Sequence, residues 1–281
     1  MDAMIEVRNL TKRYGKVIAV DDISFTVERG QIFGLLGHNA AGKSTTIRML
    51  TGRSVADSGS AAVAGFDITR EYERVKPIIN VVFEDQNHYE RFSGLDNMRI
   101  FADLYEVPRS RVDQLLEMVS LTEARTRKVK TYSTGMKQRL MIARALINKP
   151  AVMFLDEPTR GLDPTSAREL RQLIASLSRE GTTIVLTTHY MEEADELCDK
   201  VAFLSQGRIV ALDTPRELKL GRGTTTARLT LANRQEIEID LSDASSGQKL
   251  AALVSAGEVV AIHSQEGTLE DVFVEFAGRP L

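Results

Sequence analysis

The stretch GLLGHNAAGKSTT, Gly34 to Thr46, constrains this chain more than any other. Gly37-x4-Gly42-Lys43-Ser44 is the spacing of a loop that wraps phosphate. Small residues, Ala40 and Ala41 beside the glycines and Asn39, let successive backbone N–H groups face an anion. A helix that follows presents its positive end to the same anion. Lys43 is then placed to reach the β and γ phosphates of a nucleotide, and the Ser44 hydroxyl to enter a Mg²⁺ shell. Thr45 and Thr46, at the helix start, are candidates for the α phosphate. Such a loop works between a strand and a helix. Here GLLG ends an apolar run, and GKSTTIRMLTG has helical length with Ile47 and Leu50 on one side. A glycine-rich turn without nucleotide is the competing reading, and it leaves the Lys-Ser pair unexplained.

AVMFLDEP supplies a second half. Asp156 closes an apolar strand, where a fixed backbone holds a carboxylate near a metal. Glu157 follows and is suited to polarise a water aimed at the γ phosphate. Without the phosphate loop, the same acidic pair would read as a cap for the PTRGLD turn. Kinases, GTPases and helicases share both features. No guanine-reading Asn/Thr-Lys-x-Asp motif occurs, so GTP has no support.

The rest of the chain reads as an α/β protein. MIEVRNLTKRY and VIAVDDISFTV alternate as strands do, TTIVLTTH is a buried strand, and SARELRQLIASLSREG is a helix stopped by Gly181. VAFLSQGRIVALDTP is a hairpin turning at QG. Residues 91–148 carry helical spacing and form a helical insertion within a first domain over 1–220. Glycines 221 and 223 mark a linker, and 221–281 form a small α+β extension with three short strands and two helices.

Composition narrows the function classes. At 281 residues and 43% hydrophobic, the chain buries a sizeable core. Its net charge of −3, with both signs interspersed, disfavours nucleic acid as the main partner. The single cysteine, Cys198, excludes a disulfide framework and is read as a structural thiol on a helix. The start MDAMIEVRNL is not a signal peptide. No run approaches the about 18 apolar residues of a membrane span. A membrane role therefore needs a partner.

TYSTGMKQRLMIARALINKPAVMFLDEPTRGLDPTSAREL resembles the core of an ATP-binding-cassette ATPase, and within that superfamily the nucleotide-binding subunits of exporters related to drug-resistance and sodium-extrusion cassettes. The resemblance implies a P-loop cassette with a mixed sheet core, an antiparallel β subdomain and a helical subdomain. It implies ATP and Mg²⁺ as cofactors. It also implies two cassettes that sandwich two ATP molecules, the signature helix of one facing the phosphate loop of the other. On this chain the signature is Ser133, Thr134 and Gly135, with Ser133 a helix cap whose first-turn N–H groups face an anion. Asp163 is the cross-subunit contact. His189 is the switch histidine that holds the γ phosphate and orients Glu157. Tyr14 is the aromatic that stacks on adenine, with a core tyrosine as the alternative. Three positions depart from the family. Ala40 replaces a glycine and is tolerable if its φ is negative. Thr134 replaces another glycine. Glu84 stands where a metal-binding glutamine is usual, with Gln86 as the alternative.

The helical insertion carries Tyr89, Phe92, Leu95, Met98, Phe101 and Tyr105. They are either its own core or, in part, the groove in which the family receives a cytoplasmic helix of a membrane subunit. The expected function is an ATPase subunit powering a separate permease, as an exporter, held peripherally on the cytoplasmic face of the membrane. A soluble cassette acting on the ribosome or DNA is the alternative.

Overall fold

The computed structural model describes residues 3–83, 87–220, 226–240, 244–264 and 267–277. The linker glycines and the Glu84/Gln86 pair lie outside the described residues. Chain contacts divide the protein into two units, the first ending at Asp213 and the second starting at Thr214.

The first unit begins with β1 (Ala3–Tyr14) and β2 (Val17–Glu28), paired antiparallel. In β2, Val20, Ile23, Phe25 and Val27 are buried and the residues between them are more exposed, the alternation of a sheet with one covered face. β4 (Ser58–Val63) and β5 (Phe66–Asp67) extend this sheet in the order β2-β1-β4-β5. The SGSAAV sequence of β4 has little strand propensity, and pairing with β1, such as Ile5 with Val63, orders it.

A six-stranded sheet lies at the centre, in the order β10-β9-β3-β8-β7-β6. Its members are β3 (Ile32–Leu36), β6 (Ile79–Val82), β7 (Val152–Asp156), β8 (Thr183–Thr188), β9 (Lys200–Ser205) and β10 (Arg208–Asp213). Every residue of β3, β7 and β8 is buried, as a parallel sheet covered on both faces requires. Phe25 and Phe33 stack with centroids 4.9 Å apart and join the two sheets in one core with Ile47, Met49 and Leu50. The β9–β10 hairpin turns through Gln206 and Gly207, both at positive φ.

Helices fill the connections: α1 (Lys43–Leu50), the short α2 (Tyr72–Val75), α3 (Gly94–Leu104), α4 (Arg109–Met118), α5 (Thr134–Ala145), α6 (Pro164–Arg179) and α7 (Met191–Leu197). The segment read as a helical insertion holds α3, α4 and α5. In α6, Leu170, Ile174 and Leu177 make the buried stripe. Cys198 is buried immediately after α7, where burial raises its thiol well above the usual range.

The second unit contains α8 (Pro215–Leu220), β11 (Thr226–Leu231), β12 (Glu236–Asp240), α9 (Ala244–Ser255), β13 (Val259–Ser264) and α10 (Leu269–Ala277). The strands form an antiparallel sheet in the order β12-β11-β13, with Ala227, Leu229 and Ile239 packed against Leu250 and Leu253 of α9.

Candidate active site

Register brings three strand ends together. Leu36 of β3 pairs with Thr188 of β8, and Thr187 of β8 with Asp156 of β7. The loop after β3, Glu157 after β7 and His189 after β8 therefore meet at one edge of the sheet, where open α/β sheets bind ligands.

The loop holds its shape by close backbone approach. A Cβ on Gly37 would overlap the Leu204 carbonyl, and one on Gly42 would lie 2.5 Å from the Ala19 carbonyl oxygen. Gly42 caps α1 without a side-chain hydrogen bond, which leaves the first turn of the helix facing the cleft. Ala40 takes φ +65°, so the condition set for alanine there, a negative φ, is not met. The loop needs a left-handed residue there, and alanine accepts the strain. Asn39, Ala40, Ala41, Gly42, Lys43, Ser44 and Thr45 all line the cleft. Thr46 is fully buried, and its hydroxyl donates to the Gly42 carbonyl at 2.9 Å, so it does not face the cleft.

Lys43 is buried, and its Nζ donates to the Gly37 carbonyl at 2.5 Å and lies 3.2 Å from Glu157 Oε1. The other carboxylate oxygen of Glu157 is 2.7 Å from His189 Nδ1. Glu157 is held at φ +50°, a conformation rare outside glycine. Its N–H donates to the Thr187 carbonyl at 3.1 Å and contacts the Thr187 hydroxyl at 3.0 Å. Asp156 Oδ1 accepts from Thr187 Oγ1 at 2.5 Å and from Ser44 Oγ at 3.1 Å. A buried cation, two carboxylates, an imidazole and two hydroxyls are thus linked in one chain of contacts.

This donor set fits a triphosphate and a small hard cation. Ser44 and Asp156 offer adjoining oxygens of the kind Mg²⁺ prefers, while Lys43 and the start of α1 at the cleft supply the positive charge that suits anionic oxygens. Tyr14 is about half exposed on the rim of the same cleft with Val17 and Ile18, which excludes the core-tyrosine alternative. Its hydroxyl is 3.4 Å from Ser54 Oγ, and Lys12 Nζ sits 5.4 Å from its ring centre.

Ser133, Thr134, Gly135 and Asp163 are not among the residues lining this cleft. They adjoin one another instead. Ser133 caps α5, its hydroxyl accepting from the Met136 N–H at 3.2 Å, and Asp163 caps α6, accepting from the Ser166 N–H at 3.0 Å. A Cβ on Gly135 would press on Ser166 Oγ, so the two helix starts abut. The Ser166 hydroxyl, then its N–H, hold the Asp163 carboxyl below the usual range. Sequence reasoning missed Thr187 and Arg160, both at the site. A threonine inside a buried strand carries no signal of its own, and only the β7–β8 register reveals what Thr187 touches.

A phosphate loop at the carboxyl edge of a parallel sheet, facing a strand that ends in paired carboxylates, defines a P-loop nucleoside triphosphatase. The family described as ABC transporter matches residues 20–160. The chain is 44% identical over 288 aligned residues to the fluoroquinolones export ATP-binding protein of Mycobacterium tuberculosis, covering 99% of this chain and 94% of that one. It is 33% identical to the linearmycin resistance ATP-binding protein of Bacillus subtilis, with 99% of each covered. Among solved structures, cbiO1 from Clostridium perfringens, described as part of the ABC transporter complex cbiONQ, superposes with a TM-score of 0.72 at 28% identity, over 78% of this chain and 91% of that one. The protein belongs to the ABC transporter family, as an ATP-binding and ATP-hydrolysing subunit. Such subunits pair with a transmembrane permease and form dimers. Among the described residues, no helix is long and apolar enough to cross a membrane.

Proposed function

We propose that Lys43, Ser44, Asp156, Glu157 and His189 form the hydrolytic centre of a drug exporter's ATPase, with Ser133 and Asp163 serving the nucleotide of a second copy. The contact chain Lys43–Glu157–His189, with Asp156 pinned between Ser44 and Thr187, carries this reading. Bound Mg²⁺ would neutralise charge on the triphosphate. Ser44 and Asp156 are placed to hold it, and Tyr14 offers a ring face to adenine. Phosphate oxygens arriving at the loop compete for the Lys43 ammonium, which frees Glu157 to take a proton from water while His189 keeps its carboxylate aimed. Two relatives named for fluoroquinolone export and linearmycin resistance support export of drug-like cargo. Phe101 of α3 and Tyr105 just after it line a groove with Phe83 and Arg53, which suits a permease helix and supports a peripheral position of the subunit on the cytoplasmic face of a membrane. Met98 is instead core.

Glu157→Gln keeps the shape and removes the charge. Turnover is expected to fall by about a hundredfold or more. ATP binding should hold or tighten, since Lys43 loses its ionic partner. With ATP and Mg²⁺ the variant should accumulate as a homodimer by light scattering. Normal turnover in this variant would remove Glu157 from the chemistry.

A further inference from the structure

Glu193 lies on α7, just beyond His189, and the chemistry above makes no use of it. The residue is 2% exposed, and neither carboxylate oxygen completes a hydrogen bond of good geometry. Its surroundings are the Thr188 and Thr159 hydroxyls, the Arg171 guanidinium of α6, the Glu157 carboxylate and the Cys198 thiol. Thr188 is fully buried at the end of β8, and its Oγ1 accepts from the Tyr190 N–H at 3.0 Å. Thr159 is buried in the turn that leads from Glu157 to Asp163, where its carbonyl accepts from the Leu162 N–H. Glu193 thus stands between the strand end that carries His189 and the turn that carries Asp163.

A carboxylate shut away from water without full partners is driven toward its neutral form, and the negative charge of Glu157 pushes the same way. The charge of Arg171 pulls the other way, but its Nε is paired with Glu196 at 2.6 Å and burial outweighs it. A neutral carboxyl offers one O–H and one carbonyl oxygen, which matches the two hydroxyls. Thr188, already accepting from Tyr190, has its proton to give to the carbonyl oxygen. The acid proton then goes to Thr159. The geometry points to Glu193 as a positioning residue that, as a neutral carboxylic acid, clips the Thr159 turn to Thr188 and so fixes His189 and Asp163 relative to one another. This assignment rests on the hydrolytic role given above to Glu157 and His189.

Infrared difference spectroscopy of the full chain against Glu193→Gln, in neutral buffer without nucleotide, reads the carboxyl directly. The wild type is expected to show the carbonyl band of a protonated acid, and the variant to lack it. A wild type without that band overturns the proposal. In steady-state kinetics Glu193→Gln, whose amide also donates and accepts, should keep kcat and KM within about twofold. Glu193→Met, which fills the space without hydrogen bonding, should lower kcat about tenfold or more at nearly unchanged KM for ATP. Glutamine falling as far as methionine, or a folded methionine variant with wild-type kcat, overturns the proposal. If the methionine variant fails to fold, the infrared band and the glutamine kinetics still decide. Failure of the hydrolytic reading is separately visible, as normal turnover by Glu157→Gln, and leaves the infrared result unaffected.

Discussion

Two residues of the site stand in left-handed backbone without being glycine, Ala40 and Glu157. Their situations differ. Glu157 is fixed there by two contacts from its N–H to Thr187, and its side chain is needed for the contacts it makes. Ala40 contributes only a methyl group. The left-handed conformation costs an L-residue about 1–2 kcal/mol, more than the about 0.5–1 kcal/mol that glycine loses through its freedom in the unfolded chain. Ala40→Gly is therefore expected to raise stability by up to about 1 kcal/mol, read as a shift in the urea midpoint, with ATP binding retained. A loss of stability would mean that the methyl group packs against something worth more than the strain.

At the scale of elements, α5 is clipped to the segment after β6 through Asn87, His88 and Glu90. Arg144 donates to the Asn87 carbonyl at 2.7 Å, Lys137 Nζ meets Glu90 at 2.6 Å, and His88 Nε2 donates to the Lys137 carbonyl at 3.0 Å. A carbonyl only accepts, so the His88 proton sits on Nε2, and the buried Nδ1 has no partner. Burial first, and then the charge of Arg144, push His88 down to about 4 from the ordinary 6.5. Below pH 6.5 the unfolded chain takes up a proton that the folded chain resists, so stability falls as pH drops from about 6.5 to about 4. His88→Gln should flatten that part of the unfolding profile, measured by urea titration at several pH values, and leave the neutral region little changed. An unchanged acid limb would show that the imidazole is not shielded in solution. Much at this scale was legible in the sequence, because buried parallel strands such as β7 and β8 are continuous apolar runs and α6 carries a clear stripe. The β4 strand, short α7 and the partners of Thr187 were not, since long-range pairing defines them and local composition does not. The same limit applies to Ala40, whose φ is set by neighbours the sequence does not place beside it.

At the scale of the whole molecule, one chain carries the two helix starts that cap with Ser133 and Asp163, and carries its phosphate cleft elsewhere. Ser133→Arg puts a bulky cation at the first of these. On the sandwich reading the variant should bind ATP as a monomer with wild-type affinity, measured by equilibrium titration, yet fail to turn it over. Equal loss of monomer affinity would place Ser133 in the cleft of its own chain. That separation within a single polypeptide has a genetic consequence. In a mixed pair of one Ser133→Arg chain and one Glu157→Gln chain, both lesions fall on the same composite site, and the other site is assembled entirely from intact halves. Two inactive alleles, expressed together, should therefore complement each other, whereas two alleles that both alter the cleft should not.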